Sequence, residues 1–140
     1  MIMQYFKEAE ELCSLFEINT AKPGAEDFIC LCDLYALMSR YGEQYHITVS
    51  DMAVMLMQQR GLSPMVFWSR MKRAIRPLIE ADASTLRALG VPSGLVREGH
   101  AVTCAELAGR IGAYCGAFIV IDDKAAEIAA KIARACGRAK

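Results

Sequence analysis

The chain has 140 residues, 54% of them hydrophobic, with 16 basic and 16 acidic side chains and a formal net charge of zero. That length and apolar content exclude a disordered chain and fit a single domain, 1–140, with a sizeable core. No apolar run approaches the ~20 residues of a membrane helix, and the start Met1-Ile2-Met3-Gln4-Tyr5-Phe6-Lys7-Glu8 lacks the basic, then apolar layout of a secretory signal. The expectation is a cytoplasmic protein that does not contact a membrane.

In chain order, residues 2–17 read as an amphipathic N-terminal helix. Ile2, Phe6, Ala9, Leu12 or Cys13, and Phe16 share a face, and Lys7, Glu8, Glu10 and Glu11 lie elsewhere. Asn19-Thr20-Ala21-Lys22-Pro23-Gly24 breaks it. A helix over about 25–41 follows, apolar on most faces and therefore central, which Gly42 can close. Thr48 or Ser50 begins the next helix, Thr48-Val49-Ser50-Asp51 being close to a capping box, and that helix runs from Asp51 to Arg60 and stops at Gly61.

Ser63-Pro64 pairs an N-cap residue with proline at the first helical position and predicts a helix over 64–76. Pro77 lacks a backbone donor and predicts a kink or a new helix there. Residues 77–89 read as a continuation or a separate short helix, and 91–102 as loop. Thr103-Cys104-Ala105-Glu106 is a capping box for a helix to about Tyr114. Residues 117–121 read as a short strand with no evident partner. Asp122 caps an additional C-terminal helix over 122–136. Its stripe of Ala125, Ile128, Ala129, Ile132 and Cys136 suits packing on the core or on a second copy in a homodimer. The fold class is all-α: a multi-helix bundle around a core over 25–115.

No paired carboxylates, Ser–His–acid set or glycine-rich phosphate loop marks an enzyme, and no cofactor is expected. Asp122-Asp123 reads as a helix cap. The six cysteines, Cys13, Cys30, Cys32, Cys104, Cys115 and Cys136, lie in helix-like segments and read as structural thiols. Cys30 and Cys32 would point about 200° apart on a helix and so could not share an ion. The histidines, His46 and His100, lie in no ligand-spaced cluster.

The neutral total hides a segregation. Residues 1–51 carry nine acids and three bases, whereas 52–79 carry no acid and five bases: Arg60, Arg70, Lys72, Arg73 and Arg76. Helix 51–60, turn 61–63 and helix 64–76 have the organisation of a helix-turn-helix, about 51–76. At 100° per residue, Phe67, Met71, Ala74, Ile75 and Leu78 line the face to be buried. Ser69, Arg73 and Arg76 lie opposite, flanked by Arg70 and Lys72. Guanidinium forks and hydroxyls on an exposed helix suit double-stranded DNA. Arg60, with Gln58 or Gln59, could meet the backbone, and Ser63 sits where a helix N-terminus would face phosphate. Trp68 reads as packing.

Ser69-Arg70-x-x-Arg73-Ala74-Ile75-Arg76-x-x-Ile79-Glu80 resembles the recognition helix of the C-terminal DNA-binding (effector) domain of the stage-zero sporulation response regulators. Ile47-Thr48 with Asp51-Met52-Ala53, the run Ala83-Ser84-Thr85-Leu86-Arg87-Ala88-Leu89-Gly90, and Thr103-x-x-Glu106-Leu107-Ala108 resemble further segments of that domain in the same order, over roughly 25–115. The resemblance implies an all-helical bundle that binds promoter DNA through Ser69, Arg70, Arg73 and Arg76, here without a receiver domain. The alternative is a helical protein-interaction module that keeps the fold without binding DNA.

Overall fold

A computed structural model describes residues 8–89, 91, 103–119 and 122–137, and among these the regular structure is entirely helical. α1 (Ala9–Leu15) leads to the long α2 (Pro23–Tyr45), then α3 (Val49–Arg60) and α4 (Pro64–Ala74). The short α5 (Arg76–Ile79) and α6 (Ala83–Ala88) precede α7 (Cys104–Gly116) and α8 (Asp123–Ala135). No helix among the described residues is long and apolar enough to cross a membrane.

α2 is the axis of the bundle: α1, α3, α4, α7 and α8 all pack on it, α7 most extensively. The close α2–α7 crossing needs a residue without a side chain. A Cβ on Gly112 would stand 2.8 Å from the Cys32 carbonyl oxygen. The fully buried Leu12, Phe28, Met52, Phe67, Leu107 and Ile111 draw the core from α1, α2, α3, α4 and α7. Burial of each such side chain contributes roughly 1.5–3 kcal/mol.

Most boundaries follow from local chemistry. α1 stops at Leu15, short of the expected residue 17, because Glu17 takes a left-handed conformation, φ 57°. Its N–H then donates to the Ser14 carbonyl, and that of Ile18 to Cys13, which satisfies the exposed helix end. Residues 2–7 of the expected helix lie outside the described residues. α2 starts at Pro23 and runs through Gly42 to Tyr45, so Gly42 is not its cap. Half-buried Tyr41 and Tyr45 pack on the core and carry the helix past the glycine, and His46, φ 54°, turns the chain away.

Thr48 and Asp51 form both halves of the capping box of α3, at 3.0 and 3.1 Å. Asp122 caps α8 through the Ala125 N–H at 2.8 Å, and Thr103 caps α7 through Glu106 N–H at 3.1 Å. The predicted change at Pro77 takes the form of a new helix. α4 ends at Ala74, two residues early, Ile75 breaks the regular geometry, and Pro77 lies in the first turn of α5.

Two further expectations are corrected. Residues 117–119 are a turn, not a strand: Phe118 and Ile119 donate to the Cys115 and Gly116 carbonyls and so wind off the end of α7. Residues 120–121 lie outside the described residues, as do His100 and all of the expected 91–102 loop except Val91. On α8 the buried face is Ala129, Ile132 and Ala133, with Ile128 exposed at its edge. The stripe is therefore rotated toward Ala133.

Candidate nucleic-acid interface

α3 and α4 meet across a three-residue turn, 61–63. Gly61 adopts φ 64°, a conformation that costs glycine little, and so lets the chain reverse. Ser63 then starts α4: its Oγ accepts the Val66 N–H at 3.3 Å, with Pro64 in the first turn. The Ser63 hydroxyl is thus a cap, on an exposed residue.

The inner face of α4 is buried as its periodicity predicts. Phe67, Met71, Ile75 and Leu78 are in the core and Ala74 is half-buried. Trp68 is half-buried, with its ring edge-on to Phe67 at 5.1 Å, a packing contact. The outer face of α4 carries Met65, Ser69, Lys72 and Arg73, all exposed and within about 100° of arc, and the exposed Arg76 follows at the start of α5. Met65 is 78% exposed and neighbouring Val66 49%. The outward face therefore has an apolar tip at its N-terminal end and a cationic remainder. Arg76 approaches Glu80 at 3.9 Å, but both side chains are well exposed and such a pair binds weakly. Lys72 stands near enough to the start of α7 to act on the Cys104 thiol, although burial still raises that thiol to about 11.

Arg60 and Arg70 have different surroundings. Both turn to Asp27 on α2: Arg60 donates through Nε to Oδ1, and Arg70 through Nη2 to Oδ2 at 2.8 Å. Asp27 is the one buried charged residue among the described residues, 3% exposed, whereas each arginine side chain keeps 30% of its surface in solvent. One carboxylate thus ties the end of α3 and the middle of α4 to the central helix. Arg70 Nε is also buried, with no hydrogen-bond partner. The same junction is drawn tight at Gly24, where an added Cβ would fall 2.4 Å from the Arg70 carbonyl oxygen.

Of the seven candidate residues, Ser69, Lys72 and Arg73 share the outward face of α4, Arg76 is exposed at the start of α5, Ser63 stands at the N-terminal edge of that face, and Arg60 and Arg70 converge on Asp27. Sequence reasoning missed Asp27. One signal was present: Asp27 falls on the same face of α2 as Leu31 and Met38, so an acid stands in a buried row.

Burial raises the thiols of Cys13 and Cys115 to about 12 and that of Cys32 well above its ordinary value, so these cores hold neutral thiols rather than nucleophiles. No group of three or more His, Cys, Asp or Glu side chains among the described residues could hold a metal ion. A cavity of about 410 Å³ between α1 and α5–α6 is edged by Glu17, Glu80 and Asp82, a lining that disfavours anions. Comparison of the chain with protein-family models, curated proteins and solved structures finds no match.

Proposed function

We propose that the protein is a DNA-binding transcription regulator of the sporulation-effector type, with α3, the 61–63 turn and α4 as its helix-turn-helix. The observation that carries this reading is the outward face of α4, with Ser69, Lys72 and Arg73 exposed on it and the exposed Arg76 just beyond at the start of α5, in a segment, 52–79, that contains no acid. In the reading, α4 enters the major groove. Arg73 and Arg76 offer planar forks to guanine edges or phosphates, Lys72 pairs with phosphate, and Ser69 bonds a base edge or backbone oxygen. Met65 and Val66 at the tip suit the thymine methyl group. Ser63 brings the helix N-terminus toward a phosphate, and Arg60 and Arg70 act on the protein instead.

The test is fluorescence anisotropy with mixed-sequence duplex DNA at low and moderate salt, on wild type and on Arg73→Ala/Arg76→Ala. Affinity should fall with salt by about 0.9 in log–log slope per contacted phosphate, and the variant should bind far more weakly while its helical circular dichroism is unchanged. Absence of binding by folded wild type at low salt overturns the reading. The same surface then favours a protein-interaction module, because the exposed Met65 and Val66 beside three cations suit an acidic, partly apolar helix of another protein.

A further inference from the structure

We infer that Asp27 is a specificity-determining residue of this interface: it withholds Arg60 and Arg70 from DNA and so limits the phosphates the domain engages to those reached by the outward face of α4. The inference rests on the DNA-binding reading. Phosphate contacts add affinity for any sequence, and base contacts discriminate. A domain with five cations in one acid-free segment would bind all DNA. Here two of the five are already engaged by a carboxylate.

The geometry makes that engagement durable. Asp27 is fixed on the buried side of α2 and cannot swing out with its partners. Each arginine commits one edge to it, Nε of Arg60 and Nη2 of Arg70, and each keeps 30% of its side chain in solvent. The two therefore stand at the rim of the surface. Arg70 lies about 60° around α4 from Arg73, and Arg60 ends the helix that leads into the turn. If the carboxylate is neutralised, both long side chains can extend to phosphates flanking the groove. An arginine carries five N–H donors and suits phosphate as well as carboxylate.

The experiment measures anisotropy against salt on mixed-sequence duplex for wild type, Asp27→Asn, Arg60→Gln and the double variant, with helicity and urea midpoints as fold controls. Asp27→Asn keeps the size and one acceptor. It should steepen the log–log slope by about 0.9 for each guanidinium released, so that the loss of affinity between 50 and 200 mM salt deepens about 3.5-fold per contact. Arg60→Gln leaves Arg70 on Asp27 and should leave the wild-type slope unchanged, yet in the Asp27→Asn background it should lower the slope by about 0.9.

A folded Asp27→Asn with the wild-type slope overturns the inference. So does Arg60→Gln lowering the slope in the wild-type background, a result that stands even if Asp27→Asn does not fold. Wild type failing to bind where Asp27→Asn binds would support the withholding while removing DNA binding as the native activity. If neither binds, both readings fall.

Discussion

Two aspartates six residues apart on α2 show how position decides what one side chain does. Asp27 is buried and faces two guanidinium groups, the arrangement in which a buried charge is tolerated. Asp33 is exposed at the surface, but its carboxyl is partly desolvated and stands near Glu8 and Glu10, and these two causes, in that order, raise it from 3.8 to about 6. A folded-state pKa above the unfolded one means that the carboxyl opposes folding once ionised. The stability it allows is fully present below 3.8 and is lost as pH rises to about 6. Asp33→Asn should therefore unfold at higher urea than wild type near pH 7, with the difference closing near pH 4; because the residue is exposed, solvent screening keeps the gain below the full linkage value. An equal difference at both pH values would mean that Asp33 titrates as an ordinary carboxylate. The burial of Asp27 had one sequence signal, its place in a row with Leu31 and Met38, but its pairing had none. The partners of Asp27 lie 33 and 43 residues away, and no local pattern encodes a pairing at that distance.

At the scale of elements, what the sequence made legible was local hydrogen bonding. Thr48-x-x-Asp51, Ser63-Pro64, Thr103 and Asp122 each cap the helix they were expected to cap, because a side-chain oxygen satisfying an N–H two or three residues on is written in adjacent positions. Periodicity likewise gave the buried face of α4. What failed depended on packing. Ala117-Phe118-Ile119 has the composition of a strand but, among the described residues, no strand to pair with, and its backbone closes on α7. Gly24 looked like part of a break, yet it is the second residue of α2 and the point at which α2 touches the backbone of α4. Alanine there gains up to about 1 kcal/mol in helix propensity. Its Cβ, however, would stand 2.4 Å from the Arg70 carbonyl oxygen and 2.8 Å from the carbonyl carbon, and backbone cannot rotate aside as a side chain can. Overpacking of this kind costs about 1–3 kcal/mol, so Gly24→Ala should lower stability by a net of up to about 2 kcal/mol in urea titration. An increase in stability would show that the α2–α4 spacing is soft and that Asp27 does not hold Arg70 at fixed distance.

For the whole molecule the decisive property is the separation of charge within a neutral total. Residues 1–51 hold nine of the 16 acids and 52–79 none, so the surface proposed for DNA follows a segment of net negative charge, which would oppose the approach of DNA. Glu10 and Glu11 line an open groove on α1, and Glu17 shares a cavity with Glu80 and Asp82 beside α5. Such acids act at long range: their field reaches ~30 Å at 0.01 M salt but only ~8 Å at 0.15 M. The proposed phosphate contacts at α4 would act at short range and be read as a salt slope. The two can be separated. Glu10→Gln/Glu11→Gln should speed association with duplex DNA severalfold at about 0.01 M salt, lose that advantage near 0.15 M, and leave the equilibrium slope unchanged, because neither residue displaces a counterion from phosphate. Arg73→Ala should instead lower the slope by about 0.9. A change in slope from the α1 substitutions, measured by stopped-flow and equilibrium anisotropy together, would mean that α1 itself lies against the DNA, and the binding face would then have to be redrawn to include it.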